Sequence, residues 1–146
     1  MRVYVAATIE RLQSWHDDQV LQAPVAAFAV TDDLRTELPD LGDEEAEYAV
    51  ATAAAEASGQ MLTDGMHKRG RRVVVVVEVS YSVVEPDDET PGAVNVVAPI
   101  EVQHIAAVLA DPVDIPLTGG GEMDDLAWFA VQEIPELLVS KHDGDQ

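Results

Sequence analysis

The sequence predicts an α+β fold: one domain with a mixed β-sheet and helices packed on it, in the approximate order β-α-β-α-α-β-β-α-β. Its 146 residues are 47% hydrophobic and 25% charged, which is enough for one buried core. Five consecutive valines at 73–77 predict a central strand that is covered on both faces. The long alanine-rich segment 43–62 predicts a helix that packs closely on the sheet, because its side chains are small.

Strands and helices alternate before the valine run. The opening MRVYVAAT predicts the first strand, and Thr8 offers a hydroxyl N-cap to the first helix. Residues 25–30 form a second apolar run, and Thr31 begins a short helix that ends at Pro39. The first helix carries one stripe that we expect to face the core: Ile9, Leu12, His16 and Val20.

The long helix is predicted to bury a face made mostly of alanine. At 100° per residue, Glu56 and Ser58 fall away from that face. The residues that cluster on it are Ala46, Ala49, Val50, Ala53, Ala54, Ala57 and Met61. We therefore expect tight packing there and little free volume.

Four further segments follow the valine run. Residues 85–92 are rich in proline, glycine and acid and predict an exposed loop, and residues 93–99 predict a strand. The spacing of Val102, Ile105, Ala106 and Leu109 predicts a half-buried helix. In 126–134 we favour a strand that places Trp128 and Phe129 on opposite faces, before a helical turn at Pro135.

The charge excludes several classes of protein. Eight Lys and Arg residues against 28 Asp and Glu give a net charge of −20, which repels nucleic-acid phosphates. The absence of cysteine excludes disulfides, thiolate zinc sites and cysteine nucleophiles. No stretch is apolar enough to span a membrane. Strand residues follow Met1 directly, without the basic region with which a signal peptide begins. We expect a cytoplasmic globular domain over 1–140, with a frayed tail at 141–146.

One basic segment interrupts the acidic chain. HKRGRR at 67–72 contains half of all the basic residues, namely Lys68, Arg69, Arg71 and Arg72. One hypothesis is that they bind an anionic ligand, because arginine contacts phosphate and carboxylate bidentately. The other is that they balance the preceding helix, whose C-terminal dipole favours positive charge.

Other candidate side chains are more scattered. Tyr4 and His16 are candidates for a crevice, where His16 would act as a general base; the alternative is a satisfied histidine at the core boundary. The loop at 119–125 holds Glu122, Asp124 and Asp125, which would suit a hard cation or simply a solvated surface. No catalytic, nucleotide or metal motif is recognised, so no metal and no cofactor is predicted.

Four segments carry a resemblance: MRVYVAAT, FAVT at 28–31, DEEAEYAVATAAAEAS and WFAVQEIPELL. Together they resemble an uncharacterised family of small proteins from high-GC actinobacteria. That resemblance implies a cytoplasmic protein of unknown role and supplies no catalytic residues. The element order is also similar to small ADP-ribosyltransferase-like domains, with Arg2 and Tyr4 on the first strand and Glu133 as loose matches to their site residues.

Two functions of different classes remain. The first is a non-catalytic interaction module that acts through an unidentified protein partner or as a homodimer. The second is a small-ligand-binding or transferase-like domain with an anion-binding crevice. The two differ in one observable: the second requires Tyr4, His16 and Arg71 or Arg72 to converge on one cavity.

Overall fold

The computed structural model describes residues 1–117 and 125–138. Three helices are α1 (Ile9–Asp18), α2 (Asp32–Glu37) and α3 (Asp43–Asp64), and residues 134–138 are also helical. The strands are β1 (Arg2–Ala7), β2 (Val20–Leu21), β3 (Val25–Phe28), β4 (Arg69–Gly70), β5 (Val73–Glu78), β6 (Val84–Pro86), β7 (Ala93–Val96), β8 (Ile100–Glu101), β9 (Ile105–Ala110), β10 (Ile115–Pro116) and β11 (Ala127–Phe129).

Seven of these strands form one sheet in the order β11-β9-β5-β1-β3-β7-β6, and β10-β4 and β2-β8 form two small ones. The predicted α+β class is confirmed. The sheet is antiparallel rather than mixed, because each described pairing is antiparallel. The sequence pattern did not reveal strand direction, since a strand covered on both faces has the same apolar run in either case.

The valine run lies inside the sheet, as predicted. Its strand β5 pairs with β1 on one side and β9 on the other. Val73, Val75 and Val77 join the core cluster that α1 covers. Val74 and Val76 join the cluster that α3 covers. The sheet therefore separates two apolar layers, and an alternating strand supplies both.

Both predicted threonine caps are present. The Thr8 Oγ1 atom accepts a hydrogen bond from Arg11 N at 3.1 Å, and Thr31 Oγ1 accepts from Leu34 N at 3.2 Å. Helix α1 buries Trp15, which is 1% exposed and donates its Nε1–H to Ile100 O at 2.9 Å. Its neighbour His16 is only half-buried.

Helix α3 presents a different face from the one predicted. Its buried residues are Ala46, Val50, Ala51, Ala54, Ala55, Ser58 and Leu62, so the face is rotated towards Ser58, which was expected to be exposed. Alanines occur all around this helix, and their small side chains leave the phase of an apolar stripe poorly defined. The Ser58 hydroxyl donates to Ala7 O at 2.6 Å and accepts from Val73 N at 2.9 Å.

Replacing Ser58 by alanine is expected to lower the free energy of unfolding by about 1–3 kcal/mol. The hydroxyl links the end of β1 to the start of β5, and its loss leaves a buried carbonyl and a buried amide unpaired. Urea denaturation measures the change. Thr52→Ala on the same helix is the control, because its exposed hydroxyl bonds only to the Tyr48 carbonyl within the helix. Equal effects of the two substitutions would contradict the bridging role.

The segment 102–109, predicted as a helix, is instead a short 3-10 turn at Val102–His104 followed by β9. The register against β5 shifts between Val76 and Val77, which pair with Ala107 and Ile105. Ala106 is thus an extra, exposed residue, as in a β-bulge. The bulge puts Ile105 and Val108 on the same face at a spacing of three residues, a spacing that imitates a helix.

The C-terminal strand agrees with the sequence in part: β11 covers Ala127–Phe129, whereas Val131–Glu133 of the predicted strand form a 3-10 turn. Trp128 is 63% exposed, and Phe129 packs against the core on the opposite face. Helical residues 134–138 follow. None of the helices in the described ranges is both long and apolar enough to cross a membrane. The predicted tail 141–146 and most of the predicted loop 119–125 lie outside the described residues.

Candidate functional site

Arg72 lies in a buried ion pair. Strands β5 and β9 pair through Val73 and Ala110. Arg72, just before β5, therefore lies beside Asp111, just after β9. Asp111 Oδ2 accepts from Arg72 Nε at 2.9 Å and from Arg72 N at 2.8 Å, while Oδ1 accepts from the guanidinium NH2 at 2.8 Å. The two side chains are 6% and 1% exposed, so Asp111 largely neutralises the guanidinium inside the protein.

The other basic residues diverge from this pair. Arg71 is buried and donates its Nε–H to Asp111 O at 2.7 Å, and burial lowers the pKa of its guanidinium. Arg69 is exposed and donates to Asp114 O at 3.1 Å, and Lys68 is exposed. The segment is therefore divided between two buried arginines, which tie β4 and β5 to the end of β9, and two exposed cations. Anion binding by Lys68, Arg69, Arg71 and Arg72 stays a prediction.

Tyr4 and His16 lie on opposite faces of the sheet. Tyr4 belongs to the apolar cluster under α3, whereas Trp15, next to His16, belongs to the cluster on the other face. The Tyr4 hydroxyl donates to Glu47 Oε2 at 2.6 Å, and burial, followed by this hydrogen bond, raises the pKa of Tyr4. A single crevice lined by Tyr4 and His16 is therefore not formed.

The loose matches to ADP-ribosyltransferase-like domains have local partners. Arg2 Nε pairs with Glu78 Oε1 at 3.0 Å, and both side chains are about half exposed. Glu133 Oε1 accepts from Ala130 N at 2.9 Å, which caps the 3-10 turn that follows β11. These partners give each residue a structural role near its own strand or turn. They supply no support for a shared catalytic site.

A cavity of about 200 Å³ lies between the second half of α3 and β10. It is lined by Ala55, Glu56, Gly59, Gln60, Thr63, Arg72, Ile115 and Leu117. Of the predicted site residues, Arg72 contributes to it, whereas Tyr4, His16 and Arg71 are not part of the lining. This cavity therefore does not bring Tyr4, His16 and Arg71 together with Arg72.

The edge of the sheet supplies a second accessible feature. Strand β11 is the outermost strand beside β9, and its Trp128 lies opposite Leu109 in register. The ring is thus on the α3 side of the sheet, where Leu109 and Leu126 are partly buried against the core.

Within residues 1–117 and 125–138, no group of three or more His, Asp or Glu side chains is arranged to hold a metal ion.

Sequence reasoning missed Asp111 and Gly59. Asp111 is followed directly by Pro112, a pattern that is typical of the end of a helix. Gly59 lies inside the long alanine helix, where glycine destabilises the helix by roughly 1 kcal/mol relative to alanine. That unfavourable residue was the available sign of a special position. Neither signal identifies a partner, because the partner of Asp111 is 39 positions away in the chain.

The fold and these features define an acidic α+β domain whose buried arginines brace the sheet and whose accessible features are an edge tryptophan and a cavity. The chain matches a family described as "Family of unknown function (DUF6912)" over residues 1–138 and belongs to that family. The predicted membership of an uncharacterised family is confirmed, while the actinobacterial source and the ADP-ribosyltransferase analogy stay predictions. No curated protein and no solved structure matches the chain.

Proposed function

We propose that this protein is a non-catalytic cytoplasmic interaction module that captures an extended, basic segment of a partner protein. The segment adds to the edge of β11 as a further strand and covers Trp128. The observation that carries the proposal is the 63% exposure of Trp128 on an edge strand. Tryptophan is the side chain most enriched among residues that dominate binding energy at protein interfaces.

The geometry of β11 suits the addition of a strand. It pairs with β9 on one side, and within residues 1–117 and 125–138 no strand pairs with its other side. The strand reads Ala127, Trp128, Phe129 and contains neither proline nor charge, two of the features that protect an edge. The opposite edge strand, β6, contains Glu85 and Pro86. An incoming strand therefore meets less resistance at β11.

The charge of the chain favours a basic partner. Residues 73–138 contain no Lys or Arg, so this half of the molecule adds only negative potential to the total of −20. A field of that sign attracts cationic segments and accelerates their encounter. A Lys or Arg side chain of the incoming strand can also stack on the face of Trp128, which stabilises it by about 0.5–1 kcal/mol at an exposed site.

The same charge disfavours a second copy of this chain as the occupant. Two molecules of −20 repel each other at low ionic strength, and an edge-to-edge dimer would bring two such surfaces together. Repulsion of nucleic acid follows from the same argument. A homodimer therefore enters as an outcome of the test rather than as the proposal.

Replacing Trp128 by alanine is expected to weaken binding of a short fluorescent peptide of alternating lysine and valine by about tenfold or more. Fluorescence anisotropy at low salt measures the affinity, and added NaCl should weaken it as charges are screened. Trp128 is exposed, so stability should change by less than about 0.5 kcal/mol. Tyr81→Ala is the matched control, because Tyr81 is 75% exposed on a turn outside β11.

Two peptide variants separate the parts of the proposal. A glutamate-valine peptide should not bind, and binding equal to that of the lysine peptide would refute charge selection. A lysine-valine peptide methylated on alternate backbone nitrogens cannot complete the strand ladder and should lose affinity; unchanged affinity would refute strand addition. If the protein instead dimerises in sedimentation and Trp128→Ala makes it monomeric, the occupant is a second copy.

A further inference from the structure

The cavity beside α3 lies in a different part of the fold from β11. Its floor is formed by Ala55 and Gly59 of α3 and by the stem of Arg72, and Ile115 and Leu117 add apolar side chains. Its volume of about 200 Å³ corresponds to roughly six or seven water molecules at liquid density. The space suits a small organic molecule of a few heavy atoms rather than a nucleotide or a peptide.

Gly59 keeps this cavity open. A Cβ atom at Gly59 would lie 3.9 Å from Arg72 Cδ and 4.0 Å from Arg72 Cγ, which is ordinary van der Waals contact. Packing therefore does not require glycine here, and the helix would be more stable with alanine. A side chain at this position would project into the space that the floor encloses. Gly59 therefore leaves free volume beside the stem of Arg72, which a larger side chain would fill.

The charges around the cavity favour a cation. Asp111 engages the Arg72 guanidinium through both carboxylate oxygens, so this arginine brings little net positive charge to the cavity. Glu56 is exposed and is the one acidic residue among those that line the cavity. An anion would face Glu56 and gain little from Arg72, whereas an ammonium group can contact Glu56 while its apolar part covers Ile115 and Leu117.

We propose that this cavity binds a small organic cation, namely an ammonium group on a short apolar chain, with Glu56 at the charged end and Gly59 providing the space for the chain. The site is independent of β11 and of the protein partner. Its ligand differs in sign from the anion that the basic segment suggested, because the structure gives Arg72 an internal counter-ion.

The test uses n-butylammonium chloride as the probe, with n-butanol, butyrate and inorganic phosphate for comparison and NaCl at matched ionic strength. Amide chemical shifts in nuclear magnetic resonance spectra report binding and its place. Butylammonium should shift the amides of Ala55, Gly59 and Leu117 in a saturable way, and butyrate and phosphate should not. Glu56→Gln should weaken butylammonium binding by about three- to tenfold and leave butanol unchanged.

The variants supply the controls. Gly59→Ala should raise the melting temperature by about 2–4 °C, which shows that glycine is not there for stability. Gly59→Leu fills the cavity and should abolish the shifts while the protein stays folded. Glu44→Gln, an exposed carboxylate on the same helix but outside the lining, should leave butylammonium affinity unchanged.

Three results would overturn the proposal. The first is the absence of saturable shifts with butylammonium. The second is binding that survives Gly59→Leu, since the probe would then lie elsewhere on the acidic surface. The third is tighter binding of butyrate or phosphate than of butylammonium, which would restore the anion hypothesis for the basic segment. None of these measurements depends on the peptide experiments at β11, so the two proposals fail separately.

Discussion

Replacing Asp111 by alanine is expected to lower the free energy of unfolding by about 3–5 kcal/mol, the range for breaking a buried ion pair by removing one partner. The carboxylate accepts three hydrogen bonds from Arg72: one from its backbone amide and two from its guanidinium. Without it, a guanidinium that is 6% exposed loses its counter-ion inside the protein. Urea denaturation followed by circular dichroism measures the loss.

Asp114→Ala is the control for this experiment. Asp114 belongs to the same acidic segment but is exposed, and it meets Arg69 through its backbone carbonyl. Its substitution should change stability by less than about 0.5 kcal/mol. The double variant Arg72→Met with Asp111→Leu removes both charges and should recover most of the loss. A small effect of Asp111→Ala alone would contradict the buried pair.

Replacing Val75 by aspartate is expected to abolish cooperative folding. Val75 is fully buried and pairs with Val5 on one side and Val108 on the other. An aspartate there faces the apolar layer under α1 without a hydrogen-bond donor in reach, at a cost of more than about 4–5 kcal/mol. That is comparable with the total stability of many domains. Loss of the sigmoidal urea transition is the expected measurement.

Ala106→Asp tests the same strand pair at the bulge. Ala106 is exposed and unpaired between Ile105 and Ala107, so the new carboxylate would remain in water. Its cost should stay below about 1 kcal/mol. A cooperative transition with an unchanged midpoint in Val75→Asp, or unfolding in Ala106→Asp, would contradict the described register.

The predictions that succeeded depend on local chemistry. A threonine hydroxyl just before a helical pattern caps the helix, whatever the helix packs against. The sequence alone therefore predicts the caps at Thr8 and Thr31. Alternation along a strand separates neighbouring side chains in any sheet, so the sequence alone places Trp128 and Phe129 on opposite faces. A strand of five adjacent valines must be covered on both faces, and β5 has one apolar cluster on each face.

The predictions that failed depend on which segments meet. The spacing from Ile105 to Val108 is the same for a helix and for a bulged strand, and only the pairing of β9 with β5 and β11 selects the strand. The phase of α3 was undefined because alanine is a weak marker of burial. In the structure the buried face includes Ser58, whose hydroxyl joins two strands that are far apart in the sequence.

The candidate site shows the same division. Composition and charge alone determined that this domain is acidic and that half of its basic residues are concentrated in one segment. Only the tertiary structure decided where the Arg72 side chain lies, because it finds its counter-ion in Asp111, 39 positions away. The sheet itself separates Tyr4 from His16. The hydrophobic periodicity of the sequence does not reveal the distance between two residues on opposite sides of the sheet. Residue type specifies what a side chain can do, whereas the strand pairing specifies which partner it reaches.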